Sequence, residues 1–193
     1  MSKQERDKWD ARYRAGDHAS DAPDPLLLRL RDGSLPLPAG RAALDVACGA
    51  GRNAVWLAEQ GWNVAGCDVS LEGLRLAARL ARKRNVSLKL FCADLDSLSL
   101  PPQRFDLIVV FFYLQRSLLE VFQAALRPGG LLIYRTYIAD PAAPANLQEG
   151  SGDNSAHMLQ PGELAAAFAN FRILHESKKA GRRAITEFIA QKT

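Results

Sequence analysis

The 193-residue sequence predicts an α/β protein: a doubly wound, mostly parallel seven-stranded sheet, helices on both faces, and an antiparallel C-terminal hairpin. Three observations predict it. Between residues 42 and 137, short apolar runs alternate with helical segments, which implies parallel strands joined by right-handed crossovers. The run Phe105–Phe111 is nearly continuously apolar, as a strand buried on both faces should be. Near the end, the strand-like runs Phe171–Lys178 and Arg183–Gln191 are separated only by Lys179-Ala180-Gly181-Arg182, a hairpin signal.

Taken in order, residues 3–15 read as a polar helical arm in which Trp9 and Tyr13, four apart, share a face. Turn-rich linkers at 16–25 and 31–41 flank a short helix starting at Leu26–Leu30. Ala42–Val46 is the first strand and Arg52–Gln60 a helix closed by Gly61. Trp62–Cys67 is the second strand. Leu71–Arg84 is amphipathic, with Leu74, Ala77, Ala78 and Ala81 on one face and Arg75, Arg79 and Arg82 on the other. Ser87–Cys92 and Phe105–Phe111 are the third and fourth strands. Ser117–Leu126 is a helix, Arg127-Pro128-Gly129-Gly130 a turn, and Leu131–Tyr137 the fifth strand. Residues 138–160 have no period; so long a loop in a compact domain is usually functional or disordered. Pro161–Ala169 restarts a helix, with Pro161 suited to its first turn.

This length suits one domain, divided into an arm or lid (1–41), a core (42–137), a loop (138–160) and a terminal helix with hairpin (161–193). The net charge of +4 equals the excess of residues 171–193, six cations against two anions, so no global nucleic-acid footprint is present. Three cysteines, Cys48, Cys67 and Cys92, argue against a disulfide framework and are expected to be buried free thiols, with no metal site. The opening MSKQERDKWDARYR lacks an apolar core, and no apolar run reaches membrane-spanning length. The expected compartment is the reducing cytoplasm.

The sharpest local feature is Asp45-Val46-Ala47-Cys48-Gly49-Ala50-Gly51-Arg52-Asn53-Ala54, a strand running through a Gly-rich turn into a helix. Such a turn lets backbone approach a ligand and aims free N–H groups at it. Asp68 follows 19 residues after Gly49, where a carboxylate can accept from both ribose hydroxyls of a nucleoside. Gly49-Ala50-Gly51-Arg52-Asn53-Ala54 also satisfies the dinucleotide fingerprint, so an NAD-dependent dehydrogenase is one alternative. Asp45 counts against it, because a pyrophosphate gains nothing from a nearby anion. A cofactor carrying ammonium and sulfonium groups, such as S-adenosylmethionine, is favoured instead.

The run Asp45–Gly51 resembles motif I of the class I S-adenosylmethionine-dependent methyltransferases, with Ala47 in place of the first motif glycine. Ala47 keeps the turn provided its φ is negative. Asp68-Val69-Ser70, Cys92-Ala93-Asp94-Leu95, Phe105–Val110 and Leu126–Gly130 are similar to the family's later motifs, and the terminal hairpin fits its antiparallel strand. Trp9–Tyr13, Gly51-Arg52-Asn53 and His157–Leu164 resemble the tellurite-resistance and thiopurine-type small-molecule enzymes of the family. The resemblance implies a Rossmann-like fold and S-adenosylmethionine as cofactor, with S-adenosylhomocysteine as product. It implies cofactor contacts from Trp9, Tyr13, Asp45, Ala47, Cys48, Gly49, Gly51, Arg52, Asn53, Asp68, Val69, Ser70, Ala93, Asp94, Leu95, Val110 and Phe111.

Phe112, Tyr113, Arg116, Arg135, Tyr137 and His157 are the substrate candidates. An aromatic face beside a sulfonium contributes about 0.5–2 kcal/mol. No general base is evident, although His157 and Tyr113 are candidates; an acceptor that is already a soft anion needs none. The expected activity is methyl transfer to a small molecule, a thiol or a metalloid oxyanion such as tellurite. The expected partners are that acceptor and neither membrane nor nucleic acid, in a monomer or homodimer. RNA or protein as acceptor, prompted by Arg75, Arg79, Arg82, Lys83 and Arg84, is an alternative, as is a non-catalytic cofactor-binding module.

Overall fold

The computed structural model describes residues 3–16, 21–139, 158–181 and 183–193. Its elements are α1 (Lys3–Arg14), a 3-10 turn (Pro25–Leu30), β1 (Ala42–Val46), α2 (Arg52–Glu59), β2 (Asn63–Asp68), α3 (Leu71–Lys83) and β3 (Lys89–Cys92). A second 3-10 turn (Leu95–Ser97) precedes β4 (Phe105–Phe111), α4 (Leu118–Ala125), β5 (Leu126–Tyr137), α5 (Glu163–Ala167), β6 (Phe171–Lys179) and β7 (Ile185–Lys192).

The seven strands form one sheet in the order β3-β2-β1-β4-β5-β7-β6. β1 to β5 pair in parallel, and β7 runs antiparallel to both β5 and β6. β1 and β4 are buried nearly throughout, which explains their lack of polar alternation. Their side chains alternate between two cores. Leu44, Val46, Ile108 and Val110 pack with Phe122 of α4 and Leu164 of α5. Ala43, Leu107, Val109 and Phe111 pack with Leu27 and Leu57 on the other face.

Local chemistry sets the boundaries. The Ser70 hydroxyl caps α3 by accepting from the Gly73 amide at 3.0 Å, and Arg82 and Lys83 lie at its negative end. Asp24 caps the first 3-10 turn through the Leu26 amide, with Pro25 at its first position. Two expectations are corrected. β5 begins at Leu126, not Leu131: Leu126 already pairs with Phe105, and a bulge separates that pair from Leu107 and Leu131. Cys92 is exposed, because β3 is the sheet's edge strand; Cys48 and Cys67 are buried, and all three thiols are free. Among the described residues no group of metal ligands assembles, and no helix is long and apolar enough to cross a membrane.

Candidate functional site

Three left-handed residues build the turn after β1: Ala47 at φ +54°, Gly49 at +53° and Gly51 at +83°. The condition of a negative φ at Ala47 is therefore not met; the position asks for the glycine that the sequence lacks, at a cost of about 1–2 kcal/mol. Gly51 is required twice, because a Cβ there would also lie 2.5 Å from that of Ala77 in α3. The Gly51 amide closes the turn on the Cys48 carbonyl at 2.9 Å, and the Cys48 amide bonds the Cys67 carbonyl at 3.0 Å.

Two carboxylates flank the turn. Asp68, at the end of β2, accepts from the Gly49 amide and the Ser70 amide, each at 2.8 Å. Its burial raises its pKa. Asp45 is 1% exposed, and its Oδ2 has no hydrogen-bond partner among the described residues. Burial pushes its pKa up to about 8, with the Ala54 amide and Arg52 opposing and the charge of Asp68 reinforcing. A buried acceptor left without a donor is costly, so such a group calls for a ligand.

The arm packs over this turn. Tyr13 is wedged between Gly49 and Gly73, its hydroxyl against the space a Gly49 Cβ would fill. Trp9 stacks at 6.0 Å from Tyr13, and Arg12 lies 4.5 Å above Trp9. Asp10 anchors the arm by accepting from the Ser70 hydroxyl and the Glu72 amide. Asp10 lies inside the Trp9–Tyr13 run, and nothing local marks it, because its partners Ser70 and Glu72 lie 60 and 62 residues away.

Other candidates divide between this turn and elsewhere. Val69 and Ser70 are buried beneath the arm, and the Ala93 amide bonds the Asp68 carbonyl at 3.0 Å. Asp94 caps the second 3-10 turn through the Asp96 amide, with Leu95 buried behind it. Arg52 opens α2, half-buried. Asn53 is buried and its Oδ1 accepts from the Asp24 amide at 2.8 Å, which fixes the linker to α2. Arg116 is held by Glu163 at 2.6 and 3.0 Å and by the Met158 carbonyl, so it braces α5. His157 lies outside the described residues.

At the carboxyl end of β4, Val110 and Phe111 are buried while Phe112 turns outward at φ +55°. Its ring lies 5.4 Å from Tyr137 and 5.5 Å from the Arg135 guanidinium. Arg183 lies 5.4 Å from the Tyr137 ring. Tyr113 faces the other core, and burial raises its pKa. Arg135 is gripped by Asp24 and lies 3.5 Å from Glu187. Sequence reasoning missed both acids, although Asp24-Pro25 is a recognisable cap signal.

Residues 43–130 match the family model described as "Methyltransferase domain". A ubiquinone biosynthesis O-methyltransferase of Coxiella burnetii is 30% identical over 102 residues, covering 50% of this chain and 44% of that one. A tRNA 5-carboxymethoxyuridine methyltransferase of Escherichia coli is 32% identical over 118 residues, covering 57% and 45%. The chain thus spans less than half the length of these curated relatives. The fold is also that of TehB from Haemophilus influenzae, at a TM-score of 0.69 and 17% identity over 80% of this chain and 58% of that one.

Proposed function

We propose that this chain, which carries a class I S-adenosylmethionine-dependent methyltransferase domain, methylates a small-molecule acceptor. The observation that carries the reading is the unpartnered, buried Oδ2 of Asp45 behind a turn with three left-handed residues. That donor set fits the cofactor, whose ammonium group supplies the missing hydrogen-bond donor. The dinucleotide alternative leaves the same oxygen unsatisfied.

In this reading the turn residues Ala47, Cys48, Gly49 and Gly51 face the cofactor's amino-acid part, with Arg52 beside them. Asp68, held in place by two backbone amides, has a lone pair left on each oxygen for the ribose hydroxyls. Ala93, Asp94 and Leu95 border the adenine, and Trp9 and Tyr13 cover the site. The carboxyl end of β4 borders the site at Val110 and Phe111, whose side chains pack into opposite cores. When bound, the cofactor supplies an activated methyl group on a sulfonium. The protein then has to orient the acceptor and exclude water.

Phe112 and Tyr137 supply an aromatic border of the acceptor space, with Arg135 behind Phe112, while Tyr113 stands on the other face of the sheet. Burial keeps the Tyr113 hydroxyl protonated, so it is not available to take a proton from the acceptor. An acceptor that arrives as an anion, a thiolate or a metalloid oxyanion, suits such surroundings. The test pairs calorimetry with S-adenosylhomocysteine and a methyl-transfer assay on small thiols, tellurite and bulk tRNA. Binding with turnover of a small acceptor supports the reading. Binding with turnover of tRNA alone replaces it by the RNA reading, which the tRNA-modifying relative keeps in view. Binding without any turnover favours the non-catalytic module.

A further inference from the structure

The opposite end of the sheet, at the amino ends of the parallel strands, holds an open cavity of about 440 Å³. β1 separates it from the Gly-rich turn by about 13 Å, at roughly 3.3 Å per residue. Its origin is topological: the crossover from β3 to β4 carries only a 3-10 turn where the other crossovers between parallel strands carry helices. Ala65 and Phe105 line its apolar part, and four cations surround it: Arg41, Lys89, Arg104 and Arg127.

Among the described residues, Asp106 is the only acid lining this cavity, and it is already engaged. It is 5% exposed and accepts from the Ala42 amide at 2.8 Å and from Arg127 at 2.9 Å. Gly40 makes room for it, since a Cβ there would collide with the carboxylate. Arg127 is further tied to the Gln103 carbonyl at 3.1 Å. Arg41 is anchored on the Pro38 carbonyl at 3.2 Å and lies 5.1 Å from the Trp62 ring. Two guanidiniums are thus pre-positioned, whereas Lys89 and Arg104 have no acidic partner among the described residues. Guanidinium groups match the oxygens of a phosphate in paired hydrogen bonds, and a lysine adds a point charge. The volume suits a ligand of small-molecule size.

We propose that this cavity binds the phosphate group of a small phosphate ester, at a site separate from the methyl-transfer site. The proposal does not depend on the proposed acceptor. The test is calorimetry of the full chain with inorganic pyrophosphate, which has no adenine, in the presence of saturating S-adenosylhomocysteine. The expected result is one-to-one binding that weakens at least tenfold in Arg104→Glu and in Lys89→Glu, both exposed side chains. Affinity for S-adenosylhomocysteine and melting temperature should stay unchanged. Should either reversal lower the melting temperature, Arg104→Gln and Lys89→Gln give the same reading at smaller amplitude. No heat with pyrophosphate, or equal affinity in all variants, overturns the proposal. So does a single-stranded RNA that loses affinity in these variants while pyrophosphate does not bind, which would make the face an RNA-backbone surface.

Discussion

Arg135 and Asp24 stand 111 residues apart in the chain, yet Nη1 of the arginine donates to both carboxylate oxygens at 2.8 and 2.7 Å. The pair clamps the linker before the first 3-10 turn onto β5, next to Phe112. Asp24 is 1% exposed, and without it the only acid left to Arg135 among the described residues is Glu187, at 3.5 Å. Asp24→Ala should destabilise the protein by about 1.5–3 kcal/mol, as for lost hydrogen bonds to a charged group. Urea denaturation monitored by tryptophan fluorescence should show the midpoint fall by that free energy divided by the denaturant slope; an unchanged midpoint would show the clamp to be dispensable.

Asp45 should make stability pH-dependent. Its folded pKa of about 8 lies above the unfolded value near 3.8, so its protonated form favours the fold. That contribution is complete below about pH 4 and is lost as pH rises through about 8. Asp45→Asn should abolish this share of the decline and raise the melting temperature at pH 8.5 relative to the parent. The same substitution removes the carboxylate that the cofactor's ammonium group would meet, so affinity for S-adenosylhomocysteine should drop at least tenfold. Scanning calorimetry from pH 5 to 9 checks the first effect, titration calorimetry the second.

Ala47 at φ +54° carries strain that a glycine would relieve. Ala47→Gly should stabilise the protein by about 0.5–1 kcal/mol, the conformational relief being partly offset by glycine's greater unfolded entropy. A melting temperature higher by a few degrees is the readout. Gly51→Ala should do the reverse, because it adds a clash with Ala77 to the same backbone strain.

Tyr13 meets the turn with no covalent tether to it other than the arm. Tyr13→Ala should weaken S-adenosylhomocysteine binding about tenfold while the melting temperature of the cofactor-free protein moves little, since α1 buries no residue fully. A large thermal shift instead would make Tyr13 a structural strut.

How far the sequence reached depended on the range of the interaction. The strands of the core were legible because β1 and β4, buried on both faces, must be apolar runs. The turn was legible because Gly49 and Gly51 answer local backbone demands. Local cues misplaced the start of β5, where pairing with Phe105 outvotes the turn-like Arg127-Pro128-Gly129-Gly130. They also could not tell that Arg116 belongs to Glu163, or that Asn53 holds the Asp24 amide.

By itself, then, the sequence determined the α/β architecture, the Gly-rich turn with its two acids, and the hairpin whose β6 edge carries Arg172, Lys178 and Lys179. Periodicity, glycine positions and strand-end carboxylates are short-range properties that a chain writes out in order. Only the tertiary structure decided that Asp45 keeps a bare oxygen and that Tyr13 covers Gly49. Only it gathered Arg41, Lys89, Arg104 and Arg127 around one cavity. Those facts arise from strands brought side by side by long crossovers, and no local pattern of residues encodes such a meeting.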